Sequence, residues 1–162
     1  DSKTVFTYDG NFIVKQMKFD IDDKGNEVKD VEVSYTYENG KLNTIQRIAT
    51  HRKKYKQDFS SADIHISPDG KFLYASNRGN ENNISIFSIQ PNGTLKSVGY
   101  QTTFGKTPRN FSIDTSGKFL IVANQSTGTV IVFKRNQKNG LLTKTENEIK
   151  IENPTCVKIK NY

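Results

Sequence analysis

The sequence predicts an all-β protein, a run of β-propeller blades in which three four-stranded repeats are followed by the start of another. Three observations predict this. Apolar residues fall in short alternating runs rich in Val, Ile, Thr, Tyr and Phe, the pattern of half-buried strands, and no amphipathic helix is evident. Part of the chain repeats itself at an offset of 47 residues. Each repeat holds four strand-like runs, and a period in the forties with four strands is that of propeller blades, whose sheets cannot bury both faces alone and so stack on their neighbours.

The clearest copies are Ile66-Ser-Pro-Asp-Gly-Lys-Phe-Leu-Tyr-Ala-Ser-Asn77 and Ile113-Asp-Thr-Ser-Gly-Lys-Phe-Leu-Ile-Val-Ala-Asn124. Downstream, Ile84-Ser-Ile-Phe87 answers Val130-Ile-Val-Phe133, and Asn92-Gly-Thr-Leu95 answers Asn139-Gly-Leu-Leu142. Upstream, Ala62-Asp-Ile-His-Ile66 matches Arg109-Asn-Phe-Ser-Ile113 and returns as Thr155-Cys-Val-Lys-Ile159. A weaker first copy holds Asp9-Gly-Asn-Phe-Ile13 and Asn39-Gly-Lys-Leu42, separated by an insertion over Phe19 to Asp30. These matches place blades over 4–50, 61–103 and 108–150 and a closing strand over 155–160. Gly70 and Gly117 supply the turns between first and second strands, and Gly93 and Gly140 those between third and fourth. Phe72, Phe87, Phe119 and Phe133 read as inter-blade core. The insertion reads as an extended hairpin: Asp20-x-Asp22 lacks the glycine and closing glutamate of a helix-loop-helix calcium site.

Three blades leave apolar faces open at both ends, so the expected partners include the remaining blades, on the same full-length chain or on another. The strand over 155–160 would fasten such a ring.

Composition narrows the function classes. The 24 basic and 17 acidic residues of the 162 leave a formal charge of +7. The lysines are spread over turns and exposed strand positions, which argues for a solvated surface and against a nucleic-acid stripe. The cluster His51-Arg52-Lys53-Lys54-Tyr55-Lys56 reads first as an exposed loop and second as a site for a phosphate-bearing ligand. The single cysteine, Cys156, cannot form an internal disulfide and reads as a small buried apolar residue. No run approaches the roughly 18 apolar residues of a membrane span, and no leader is visible, so a soluble protein with the cytoplasm as default compartment is expected. Two histidines and one cysteine are too few for a zinc site, and neither a glycine-rich phosphate loop nor a Ser-His-Asp order is evident. No cofactor or metal is expected.

In a propeller the first strand of each blade lines the central channel, and residues two apart share a side. Asp63 and His65 therefore point together. The carboxylate could orient the imidazole and raise its basicity for activating water, or the pair could simply stabilise the strand. Arg78 ends the second strand of that blade, and Arg109, after Pro108, opens the first strand of the next. Both belong near the channel rim, where they could grip a carboxylate or phosphate and stabilise an oxyanion, or form strand-end salt bridges. Asn77, Asn110 and Asn124 read as hydrogen-bonding strand-end residues.

The run from Ala62 to Gly79, followed by Lys106-Thr-Pro-Arg-Asn-Phe-Ser-Ile-Asp114, Phe119-Leu-Ile-Val-Ala-Asn-Gln125 and Asn153-Pro-Thr-Cys-Val-Lys158, resembles the C-terminal part of the seven-bladed propeller lactonase family. That family includes the propeller type of 6-phosphogluconolactonase and the 3-carboxymuconate lactonizing enzymes. The resemblance implies a hydrolase opening the ring ester of 6-phosphoglucono-δ-lactone, a pentose phosphate step, without metal or organic cofactor. By it, His65 activates water or shuttles a proton, and Arg78 and Arg109 bind a small anionic lactone or sugar acid. Asp63 holds a family position that is more often Glu. Where the family has a Glu at the end of the first blade's second strand, this sequence has Lys18, with Asp20 the nearest acid. That departure keeps open a non-catalytic propeller binding a partner or sugar acid, and the resemblance itself leaves a further alternative, a muconate-type lactonizing isomerase.

Overall fold

Twelve strands in three antiparallel sheets carry the chain in the computed structural model, which describes residues 4–7, 12–21, 27–38, 41–52 and 59–160, with side chains described for 44–52 and 60–160. The first sheet holds β1 (Thr4–Thr7), β2 (Phe12–Ile21), β3 (Glu27–Glu38) and β4 (Lys41–Ala49). The second holds β5 (Phe59–Ile66), β6 (Phe72–Gly79), β7 (Asn83–Ile89) and β8 (Leu95–Thr102). The third holds β9 (Pro108–Ile113), β10 (Phe119–Asn124), β11 (Thr129–Arg135) and β12 (Leu142–Lys150). Every strand pairs with its neighbour in sequence, so each sheet is a meander. The first strands adjoin, β1 beside β5 and β5 beside β9. The expected insertion appears as lengthening: β2 and β3 run 10 and 12 residues where β6 and β7 run 8 and 7. The tip of that hairpin lies outside the described residues.

Side-chain alternation divides the middle sheet between two cores. Ile64, Leu73, Ala75, Phe87 and Leu95 pack together with Ile48 of the first sheet. On the other face Phe72, Tyr74, Ile84 and Ile86 join Phe111, Leu120, Val122, Ile131, Phe133 and Leu142 of the third sheet. Burying each large apolar side chain stabilises by roughly 1.5–3 kcal/mol, so the middle sheet is held from both sides. Phe119 departs from the expected inter-blade core and is 40% exposed. Leu120 and Val122 take the face of β10 that meets the second sheet, and period-two alternation turns Phe119 to the opposite face. Cys156 is likewise exposed and not buried. The segment 155–160 carries no strand, because a strand needs a ladder partner and this segment has none among the described residues.

Polar ties repeat with the blades. Asn77 ends the second strand of the middle sheet, and its Nδ2 donates to the Thr50 carbonyl at 2.9 Å. Asn124, one repeat later, donates to the Thr103 carbonyl at 2.9 Å. Each asparagine thus pins the linker arriving from the preceding sheet. A second tie joins the β5–β6 turn to the end of β11. There the buried Arg135 reaches both Asp69 carboxylate oxygens at 2.9 and 2.7 Å, the Tyr74 hydroxyl at 2.9 Å and the Gly117 carbonyl at 2.6 Å. Burial pushes the Tyr74 hydroxyl up to about 12. Burial also works to raise Asp69, but the Ser67 hydroxyl and the Arg135 guanidinium outweigh it and hold the carboxyl below its usual range. The third-to-fourth-strand turn at Gly140 admits only glycine for two reasons. Its φ is +77°, and an added Cβ would sit 2.4 Å from the Phe72 ring.

Candidate active site

The site begins with an irregularity in β5. Its ladder to β6 passes from Ser61 opposite Asn77 to Ile64 opposite Ala75, which leaves Ala62 and Asp63 together facing Ser76. Such a bulge frees one amide and re-aims the side chains around it. The freed Asp63 N–H donates to Ser76 Oγ at 3.0 Å. One repeat later β9 does the same, pairing Asn110 with Ala123 and Pro108 with Asn124, so that Arg109 becomes the extra residue.

Asp63 is buried to 1% exposure and is surrounded by donors. Its Oδ1 accepts from Ile64 N at 3.0 Å. Its Oδ2 accepts from Asn110 Nδ2 at 2.5 Å, from Phe111 N at 3.2 Å and from His65 Nε2 at 3.1 Å. An ionised carboxylate only accepts, so the imidazole proton sits on Nε2 and the lone pair is left on Nδ1. Among the described residues Nδ1 has no partner, and the His65 side chain is 36% exposed. An edge-on contact with the Phe111 ring, centroids 4.8 Å apart, fixes the plane of the imidazole. A buried carboxylate behind an oriented, solvent-facing imidazole is an arrangement that can take a proton from water.

The arginines lie on the two strands that adjoin β5, Arg78 at the end of β6 and Arg109 at the start of β9. Arg78 pairs with Ser60 in the ladder, and its Nη2 donates to the Ser61 carbonyl at 3.2 Å. Its buried Nε has no hydrogen-bond partner among the described residues. Arg109, adjacent to Asn110, is exposed. Neither forms an ion pair among the described residues, so the strand-end salt bridges considered from the sequence do not occur there. Lys18 is the seventh residue of β2, as Arg78 is of β6, and its side chain lies outside those described.

One polar cluster was not legible in the sequence. His51, expected in an exposed loop, is 3% exposed, because residues 50–52 are tied to Asn77 at the end of β6 and to Glu81 beyond it. Its Nδ1 lies 2.7 Å from Glu81 Oε2 and its Nε2 3.3 Å from Ser61 Oγ. This line has the order of a nucleophilic relay, yet Ser61 is 2% exposed and its hydroxyl donates to Asn77 Oδ1 at 3.1 Å. No substrate reaches it, and its effect is to lock the linker. Arg52 completes the lock: its N–H donates to Glu81 Oε1 at 2.8 Å, and its guanidinium lies over the Tyr100 ring at 4.7 Å. The basic run Lys53 to Lys56, read as a possible phosphate site, lies outside the described residues. Among the described residues no helix is long and apolar enough to cross a membrane.

A family profile described as Lactonase, 7-bladed beta-propeller matches residues 24–159. The chain belongs to this propeller lactonase family. Among curated relatives, a 6-phosphogluconolactonase of Formosa agariphila is 45% identical over 85% of this chain and 39% of its own length. A solved Bacteroides fragilis structure that carries the same name provisionally is 38% identical, with a TM-score of 0.81 over 98% of this chain and 41% of that one. The periplasmic gluconolactonase of Pseudomonas aeruginosa is 26% identical, with a TM-score of 0.83 over 95% and 40%. The chain therefore spans about two-fifths of the length of these lactonases.

Proposed function

We propose that this chain supplies the catalytic strands of a lactone hydrolase of the 6-phosphogluconolactonase type, within a ring that further blades complete. The observation that carries the reading is the Asp63–His65 pair, which leaves Nδ1 of a half-exposed imidazole without a partner among the described residues, together with arginines on the adjoining strands β6 and β9 that form no ion pair among those residues. Water attacks the lactone carbonyl carbon as His65 Nδ1 takes its proton. The tetrahedral oxyanion is stabilised by Arg78 or Arg109. The ring carbon–oxygen bond then breaks, and the proton on His65 passes to the departing ring oxygen, giving a hydroxy acid. The other arginine holds the substrate's anionic group. Asp63 keeps Nε2 protonated throughout and stabilises the imidazolium.

The names of the relatives support this substrate class. In the same reading 155–160 pairs with a strand of another blade to close the ring. The exposed thiol of Cys156 fits a reducing compartment, which favours the cytoplasm.

The test is turnover of 6-phosphoglucono-δ-lactone by the complete protein and its His65→Gln variant. The reading expects hydrolysis above the spontaneous rate and a loss of about 10²- to 10⁴-fold in kcat for the variant. An unchanged rate would remove His65 from the chemistry. Binding of the sugar acid without turnover would favour the non-catalytic alternative, which the lysine at position 18 motivates. Ring closure on a muconate would favour the isomerase.

A further inference from the structure

The carboxylate of Asp63 is held from the next blade as well as from its own. Asn110 donates from Nδ2 to Asp63 Oδ2 at 2.5 Å, and its Oδ1 accepts from Val157 N at 2.6 Å. A backbone N–H can only donate, so the Val157 contact settles which end of the amide faces which partner: Oδ1 toward residue 157, Nδ2 toward Asp63. The same step appears one repeat earlier, where Phe111 N donates to Asp63 Oδ2 at 3.2 Å. Asp63, Asn110 and Cys156 hold corresponding positions in three successive copies, and the residue after each of the last two donates to the side chain of the copy before it. The result is a chain of donors, Val157 N–H to Asn110 and Asn110 to Asp63, that ends on the same carboxylate oxygen to which His65 Nε2 donates.

We infer that Asn110 is a positioning residue for the proposed hydrolysis, fixing Asp63 so that it orients His65 with the proton on Nε2 and the lone pair on Nδ1. The inference rests on the reading of His65 as the base. Among the described residues Asn110 makes no hydrogen bond to the imidazole, and it acts through the carboxylate that both share. Asn110 and Phe111 both donate to Oδ2, so that oxygen faces His65 as an acceptor fixed from the next blade and orients the ring. Docking of the segment around Val157 then becomes part of the catalytic geometry, since without its N–H the Asn110 amide is free to turn its oxygen toward the carboxylate.

The experiment uses the complete protein with Asn110→Leu and Asn110→Asp. Asn110→Leu removes the donor at similar volume. Asn110→Asp is nearly isosteric and sets a second carboxylate against Asp63. Two readouts are taken: imidazole ¹⁵N chemical shifts of His65, which report the tautomer without any substrate, and the pH profile of lactone hydrolysis. The inference expects a single Nε2–H tautomer in the parent protein and a mixture in Asn110→Leu. It expects kcat to fall about tenfold with KM changed less than twofold, the size of one lost charge-assisted hydrogen bond. In Asn110→Asp the added negative charge moves the acidic limb of the profile to higher pH. A parent tautomer retained in both variants, with the pH profile unmoved and only stability lowered, would overturn the inference and leave Asn110 a structural tie. If the complete protein hydrolyses no lactone, the tautomer measurement still decides the role of Asn110. The failure then belongs to the proposed reaction alone.

Discussion

Replacing Arg135 with Met tests how two blades are joined away from the channel. The guanidinium makes four hydrogen bonds, to both oxygens of Asp69, to the Tyr74 hydroxyl and to the Gly117 carbonyl. The losses are unequal. Tyr74 still donates to the Gly140 carbonyl at 2.7 Å, so its hydroxyl stays satisfied. The Asp69 side chain is 25% exposed and keeps the Ser67 hydroxyl, so water replaces much of what it loses. The Gly117 carbonyl loses a partner, which costs about 1–3 kcal/mol where the group is buried. The methionine stem retains part of the packing on Phe72 that the guanidinium makes at 5.5 Å. The sum is about 2–4 kcal/mol, toward the lower side of what breaking a fully buried pair costs. The pH dependence gives a second reading. Asp69 is held below its ordinary 3.8, so its contribution is complete above that value and is lost as pH falls through the lower folded value. Arg135→Met removes part of the cause, so the gap between variant and parent narrows in acid. Urea denaturation of the complete protein at neutral pH and at successive points below pH 4 measures both. A change under about 0.5 kcal/mol at neutral pH, or a gap that stays constant through the acid range, would refute the reasoning.

Gly140→Ala should destabilise by more than about 2 kcal/mol, because strain at φ +77° adds to the collision with Phe72, and thermal denaturation reads it directly. Glu81→Ala leaves the His51 ring and the Arg52 amide without their acceptor, at a cost of about 2–4 kcal/mol. Its signature is faster hydrogen exchange at the Arg52 amide, and protection unchanged there would argue against the linker lock. Asp63→Asn should lower kcat by about 10²- to 10³-fold while the fold persists, as the amide offers the imidazole a donor as well as an acceptor and no longer selects its tautomer. Equal activity in steady-state kinetics would show that His65 needs no orienting group.

The fold was legible because a blade records itself locally. The turn glycines and the alternation of Asp63 to Ile66 need only a few neighbouring residues to be read, and the 47-residue offset shows in a direct comparison of the chain with itself. Asp63 and His65 could be paired for the same reason, being two apart on one strand. Asn110 was visible as a hydrogen-bonding residue but not as the partner of Asp63, since that contact spans 47 residues and depends on the bulge at Ala62 and Asp63. His51 was misplaced because a basic run looks like a solvated loop, while its burial follows from the ties of residues 50–52 to Asn77 and Glu81. Phe119 and Cys156 show the same limit from the other side. Alternation tells which residues share a face, and only the packing of whole sheets tells which face is covered.

The central claim of the proposed function is that His65, oriented by Asp63, takes the proton of the water that attacks the lactone carbonyl, with Arg78 and Arg109 as the proposed anion-binding groups. A crystal structure of the complete protein with 6-phosphogluconate bound tests it most directly. The account predicts that the hydroxyl formed from the ring oxygen donates to His65 Nδ1, with one arginine on the carboxylate and the other on the phosphate. A ligand seated away from β5 and β9, or an imidazole turned so that Nδ1 faces Asp63, would contradict it.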